Sequence, residues 1–122
     1  MGNFRELNVW KESIILCKEI YDITSKGKFQ KDFGLRDQIQ RACVSIMSNI
    51  AEGFDRASRA EFHQFLVIAK GSCAEVKTQL YIARDIGYVD DKCFIHLQKL
   101  AEEVSRIIGG LRSAVHKQRK KQ

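Results

Sequence analysis

Apolar side chains recur at steps of three and four residues along almost the whole chain, and no proline interrupts them. This spacing places apolar residues on one face of an α-helix, whereas a half-buried strand would need strict alternation. An average protein has about 5% proline, and its complete absence here permits long, uninterrupted helices. The sequence therefore predicts an all-α protein.

The first half of the chain contains two helical stretches. They cover residues 8–25 and 33–52, with Gly27 interrupting the pattern in a polar connection and Asp32 placed to cap the second helix. Gly53 is expected to end the second helix. The core stripe of the first helix is predicted at Leu7, Trp10, Ile14, Cys17 and Tyr21. A second apolar stripe beside it consists of Leu16, Ile20 and Ile23.

The second half contains two more helices. Ser58 and Glu61 have the spacing of a capping box, so the third helix should begin there. Its apolar positions cover a wider face than one partner helix requires. Gly87 marks the next turn, and Gly109–Gly110 is expected to loosen or end the fourth helix. Four amphipathic helices with short connections predict an antiparallel up-and-down four-helix bundle.

Length and charge set the domain organisation. A chain of 122 residues has the length of a single domain. We predict a bundle over residues 1–116 with a basic tail over residues 117–122. The net charge is +6, and the residues from Ile107 onward contribute five basic side chains without a single acid. This positive charge favours an anionic partner, although it could instead serve only to keep the protein soluble.

The absence of membrane-spanning, signal-peptide and C-x-x-C patterns indicates the cellular compartment and the redox state of the cysteines. No apolar run approaches the ~18 residues of a membrane span, and residues 1–10 do not resemble a signal peptide, so we expect a cytoplasmic protein without membrane contact. The four cysteines carry no C-x-x-C spacing and should be reduced. One cysteine falls in each predicted helix, but Cys93 should lie roughly 15 Å from the level of the others, so we predict no metal and no cofactor.

Two rows of polar residues interrupt the apolar pattern. They are Ser45, Ser48, Asn49 and Glu52 on the second helix, and Ser72, Glu75 and Gln79 on the third. Such rows could hold a ligand or an acid-base pair, but we favour hydrogen bonds across a helix pair or a subunit contact.

Catalysis has little support in the sequence. An RNA-processing enzyme could be built on Glu52, Asp55, Glu61 and His63 near the second connection. These residues have no recognisable catalytic spacing, and no activated nucleophile is evident. We therefore predict a protein that is not an enzyme and has no small-molecule substrate.

Basic residues outside the tail gather near the two connections. Together with the tail they could neutralise the phosphates of RNA, with an affinity that falls steeply with salt. The candidate nucleic-acid-binding residues are Arg36, Arg41, Arg56, Arg59, Arg119, Lys120 and Lys121.

A set of motifs over most of the chain resembles a known family. The run from Phe33 to Ala42 with the sequence FGLRDQIQRA, then residues 48–53 with SNIAEG, and the opening Leu7-x-Val9-Trp10 are similar to the 23S rRNA intervening-sequence proteins. Further matching residues are Glu61-Phe62, Phe65-Leu66, Ile68 to Ser72, Glu75, Thr78 to Leu80 and Gly87-Tyr88. Met47 stands where the family usually has proline, so the second helix is expected to be straighter.

The resemblance implies a bacterial four-helix bundle that assembles as a homopentamer. It also implies kinship with the accessory proteins of diversity-generating retroelements, which form basic pentameric barrels that contact a reverse transcriptase and nucleic acid. The function hypothesis is a non-enzymatic oligomer that binds RNA or a nucleoprotein partner through its basic residues. The alternative is a protein-protein interaction scaffold with no nucleic-acid role.

Overall fold

Helices account for nearly all of the computed structural model, which describes residues 3–56 and 58–121, with side chains placed as far as Gln118. A short 3-10 helix at Phe4–Glu6 is followed by α1 (Asn8–Thr24), α2 (Gly27–Lys31), α3 (Phe33–Asp55), α4 (Arg59–Asp85) and α5 (Asp91–Lys121). Within those described ranges there is no strand, and no helix is long and apolar enough to cross a membrane. The predicted all-α fold is confirmed.

The four long helices form an antiparallel bundle. Helix α4 packs between α3 and α5, and α1 closes the bundle against α3 and α5. Hydrogen bonds fix the register of α4 and α5: Lys70 Nζ lies 3.3 Å from the Ser105 carbonyl oxygen, and Gln98 Nε2 donates to the Lys77 carbonyl oxygen at 2.8 Å. Rising numbers on α4 meet falling numbers on α5, so the two helices run in opposite directions.

Side-chain caps begin two of the long helices where the sequence predicts them. Ser58 Oγ accepts from the Glu61 amide at 3.3 Å, and Asp32 Oδ1 accepts from the Leu35 amide at 3.1 Å. Asp32 Oδ2 also accepts from the Tyr88 hydroxyl at 2.8 Å, which joins the start of α3 to the turn before α5. These two hydrogen bonds, the backbone one first, lower the pKa of the Asp32 carboxyl.

The first connection differs from the prediction of a purely polar link. Gly27 adopts a positive φ of 57°, and one turn of helix follows it before α3 begins. This turn buries Phe29 almost completely, with its ring 5.2 Å from that of Tyr88. A single phenylalanine in a lysine-rich segment has no periodicity of its own, so the pattern did not reveal its burial.

The buried face of α1 takes Cys17 from the first predicted stripe and Leu16 and Ile20 from the second. Val9, Ser13, Leu16 and Ile20 are buried, whereas Tyr21 is 44% exposed. Ser13 enters the core because its hydroxyl donates to the Val9 carbonyl oxygen at 2.6 Å, which leaves the hydroxyl satisfied without water. A polar residue therefore lies at the centre of the face, where hydrophobic periodicity alone does not place it.

Glycines do not stop the helices at the two positions where the sequence suggested it. Helix α3 continues past Gly53 to Asp55, and α5 continues through Gly109–Gly110 to Lys121. Gly53 serves the packing of α3 on α4 instead. A β-carbon at residue 53 would lie 2.6 Å from Phe65 Cβ and 3.0 Å from the Phe62 ring. Met47, at the usual proline position, is half-buried against the core within an uninterrupted α3.

Substituting Gly53 tests this close approach. Gly53→Ala should lower the free energy of unfolding by about 1–3 kcal/mol, because the added methyl forces α3 and α4 apart. Gly71→Ala, in a helical site with nothing within 4 Å of the added β-carbon, should instead raise it by about 0.5–1 kcal/mol. Urea unfolding followed by circular dichroism measures both. Equal effects of the two substitutions would contradict the packing assigned to Gly53.

Candidate nucleic-acid interface

Two of the predicted RNA-binding arginines are occupied by contacts within the protein. Arg56 lies 2.7 Å from Glu52 and 3.6 Å from Glu61, with its guanidinium over the Phe65 ring. Because two carboxylates compensate its charge, Arg56 presents little net positive potential. The side chain instead ties the end of α3 to the start of α4.

Arg36 is held in a similar way at the other end of α3. Its Nε lies 3.0 Å from Asp37, another guanidinium nitrogen donates to the Gln30 carbonyl oxygen at 2.9 Å, and the group lies over the Phe33 ring. Arg36 and Arg56 are twenty residues apart on one helix, or about 30 Å at 1.5 Å per residue. The structure therefore divides the predicted set between the two ends of the bundle.

Arg41 and Arg59 are exposed and form no ion pair with any described residue. Arg41 lines a groove of about 390 Å³ between α3 and α4, beside Ser45, Ser72 and Gln79. Ser45 and Ser72 share a hydrogen bond of 2.9 Å across this helix pair. The polar rows therefore do meet across a helix pair, as the sequence predicts for them.

The last three predicted binding residues are Arg119, Lys120 and Lys121. Their backbone continues α5, and their side chains lie outside the described part of the structure. The antiparallel register brings the end of α5 to the beginning of α4, where Arg59 lies. The fold thus brings the basic tail and the second connection to one end of the bundle.

A row of basic residues along α4 was not recognised in the sequence. His63, Lys70, Lys77 and Arg84 recur every seven residues, which places them on one face of the helix, and all four are half-buried beside α5. We call these four residues the basic seam. The seven-residue spacing of these basic side chains is visible in the sequence, but the periodicity of the apolar residues does not reveal it.

Contacts along the basic seam leave part of its charge uncompensated. Lys70 Nζ donates to the carbonyl oxygen and hydroxyl of Ser105, and it lies 3.3 Å from the position of a β-carbon at Gly109. Lys70 and Lys77 form no ion pair with residues in the described ranges. Arg84 differs, since it lies 3.3 Å from Asp85 and stacks over the Phe94 ring.

A small pocket lies between α4 and α5 at the end where the tail and the second connection meet. It has a volume of about 200 Å³ and is lined by His63, Arg112, Ser113 and His116. The two imidazole rings lie 5.5 Å apart between centroids. None of the described residues that line this pocket is acidic.

The residues suggested for RNA cleavage do not form one site. Glu52 and Glu61 both pair with Arg56 on the α3 side of α4. His63 faces α5 instead, where its ring contacts that of His116. Residues two apart on a helix point in very different directions, so Glu61 and His63 cannot act on one substrate atom.

Three of the four thiols lie together in the core. Cys17, Cys43 and Cys73 are buried, and Cys17 and Cys43 are joined by a side-chain hydrogen bond that lowers the pKa of Cys17 and raises that of Cys43. Burial raises the pKa of Cys73 to about 12. Across the described ranges, no group of three or more His, Cys, Asp or Glu side chains is arranged to hold a metal ion.

Thiol reactivity should separate Cys93 from the other three. Cys93 is half-buried, and burial raises its pKa, so it should react with a disulfide reagent slowly in the native protein. The other three should react only after unfolding. One equivalent of released thiolate before urea and four after it is the expected result, and Cys93→Ser should abolish the native reaction. Rapid reaction of several thiols in the native protein would contradict the packing.

Comparisons with known proteins support the fold and indicate the family. A family model described as 23S rRNA-intervening sequence protein matches residues 5–110. A solved structure from Bacteroides thetaiotaomicron, described as a protein of unknown function from the S23 ribosomal protein family, is 24% identical with a TM-score of 0.78. That match covers 85% of this chain and 97% of the other. No curated protein sequence matches this chain significantly.

Proposed function

The chain belongs to the 23S rRNA-intervening sequence protein family, and from that premise we propose that it is a non-enzymatic bundle that binds RNA or an RNA-containing complex in the bacterial cytoplasm. Binding occurs through phosphate contacts along the α4–α5 side of the bundle. The residues engaged are Arg59, Lys70, Lys77, Arg112 and Lys117, together with Arg119, Lys120 and Lys121. Arg36 and Arg56 have supporting roles because their guanidinium groups are already paired.

The observation that carries this proposal is the meeting of two basic features on one side of the bundle. The basic seam runs along α4, and the neighbouring α5 contributes no acid from Ile107 onward. Arg59, Arg112 and Lys117 form no ion pair with the described residues. Uncompensated cations along an elongated surface are the electrostatic footprint of a polyanion partner.

Assembly is the second part of the proposal. Helix α4 and the residue that follows it present a separate exposed stripe on the α3 side, where Ile68 is 51%, Ile82 45% and Ile86, just after the helix, 51% exposed. Gln79 lies in the same stripe, and its buried Oε1 has no hydrogen-bond partner in the described structure. A neighbouring subunit would cover the isoleucines and donate to this oxygen. The family resemblance favours a homopentamer.

The same stripe favours a second candidate function, in which the partner is another protein and the cations maintain solubility. The groove beside Gln79 is lined by Glu75 as well as Arg41, and a neutral polar surface of this kind suits a protein better than a polyanion. In that case nuclease treatment would not release the partner.

Salt dependence of RNA binding tests the first function. Each phosphate that a basic side chain neutralises on a single strand adds roughly 0.7 to the slope of log K against log[salt]. The triple variant Arg59→Gln, Arg112→Gln, Lys117→Gln should therefore flatten that slope by about 2. Filter binding with single-stranded ribosomal RNA fragments measures the slope.

A matched control for this variant is Lys11→Gln, Lys18→Gln, Lys92→Gln. It removes three exposed charges elsewhere on the bundle and should leave the slope unchanged. No measurable affinity of the wild type at low salt would sink the proposal.

A further inference from the structure

We propose that the pocket lined by His63, Arg112, Ser113 and His116 binds a single phosphate group. This deepens the proposed function and rests on it for the source of that group, which is a terminal phosphate of RNA. The pocket itself is defined by its own geometry. It lies at the end of the basic seam, where α4 begins and the last turns of α5 pass it.

The donors of the pocket match a tetrahedral oxyanion. Arg112 and His116 are four residues apart on α5 and share one face of that helix, while His63 reaches the pocket from α4. A guanidinium supplies paired N–H donors, protonated imidazoles supply one each, and the Ser113 hydroxyl adds another. Charge-assisted hydrogen bonds of this kind are the strong ones in phosphate recognition.

The size of the pocket fits one phosphate and its water. A water molecule occupies about 30 Å³ of liquid, so about 200 Å³ corresponds to roughly six or seven such volumes. A phosphate has five heavy atoms and would leave room for one or two bridging waters.

The surrounding charges favour an anion. Among the described residues, those that line the pocket belong to α4 and α5. On α4, Arg59 precedes His63 by about one turn and Lys70 follows it by two turns. On α5, Lys117 is adjacent to His116.

Acids on the two lining helices are engaged elsewhere. Glu61 on α4 is directed toward Arg56, 3.6 Å away, on the opposite side of the helix. Glu103 on α5 pairs with Arg106 and lies more than two turns from Arg112. Neither Glu61 nor Glu103 therefore competes with the phosphate for the donors of the pocket.

Binding should depend on pH with a definite sign. Imidazoles gain a positive charge as pH falls between about 8 and 5, while a phosphate monoester keeps a charge of about −1.5 to −2 near pH 7. An anion binds the protonated imidazoles more tightly. Affinity therefore rises as pH falls from 8 toward 6.

Proton NMR of the imidazoles, with sodium phosphate as the probe, tests the pocket. The chain has three histidines, and His96 provides an internal control because it is paired with Glu19 at 2.7 Å, far from the pocket. Phosphate at pH 6.5 should shift the His63 and His116 signals and leave His96 in place. Equal shifts of all three histidines, or no shift, would overturn the proposal.

Pocket variants and RNA oligonucleotides test whether the bound phosphate is the terminal phosphate of an RNA. Arg112→Gln and His116→Asn should each weaken phosphate binding by about tenfold or more. Arg106→Gln, which removes an exposed charge on the same helix, should leave it unchanged. RNA oligonucleotides with a 5′-phosphate should bind more tightly than the same sequences with a 5′-hydroxyl, and only in proteins with an intact pocket.

The two proposals can fail separately in these measurements. If RNA binds with its full salt dependence while phosphate leaves His63 and His116 unmoved, the pocket assignment falls and the RNA function stands. If phosphate binds in the pocket while RNA shows no affinity, the RNA function falls. If both 5′-phosphate and 5′-hydroxyl RNA bind equally to wild type and to Arg112→Gln, the assignment of the pocket to an RNA terminus is wrong.

Discussion

The packing of α4 against both of its neighbours is the constraint on which the rest of the structure depends. At Gly53 the backbone of α3 comes so close to α4 that a β-carbon would lie 2.6 Å from Phe65 Cβ. With one side of α4 against α3 and another against α5, two surfaces of α4 remain. One is the basic seam, and the other is the exposed stripe that contains Gln79 and three isoleucines. Both proposed contacts of the protein, with RNA and with a neighbouring subunit, follow from this arrangement.

Much of the fold was predictable from the sequence because its signals are local. The capping residues Ser58 and Asp32 act within three residues of their targets, and hydrogen bonds of both are in place. The glycines were misinterpreted, since a glycine that ends a helix and a glycine that admits another helix look alike in one sequence. Distinguishing them requires knowing that Phe65 lies opposite Gly53, which is tertiary information. The one-turn helix α2 was missed for the same reason, because Phe29 is buried by Tyr88, 59 residues later in the chain.

The candidate site was less predictable than the fold, because charge alone does not reveal pairing. Arg36 and Arg56 looked equivalent to Arg59 in the sequence, yet both are paired with carboxylates and stacked on phenylalanine rings. Conversely, His63 and His116 are 53 residues apart and meet only because α4 and α5 are antiparallel. The interpretation of the polar rows is confirmed at Ser45 and Ser72, whose hydrogen bond joins two helices. Net charge indicated a class of partner, and the fold was needed to indicate a surface.

Light scattering on a size-exclusion column shows whether an assembled bundle carries RNA on its basic side. The protein is purified without nuclease, and the absorbance ratio at 260 and 280 nm is recorded across the peak. We expect a particle near five times 14.0 kDa in protein mass, with nucleic acid that high salt removes. A nucleic-acid-free monomer would contradict this expectation, because neither the exposed stripe of α4 nor the basic seam would then have a partner.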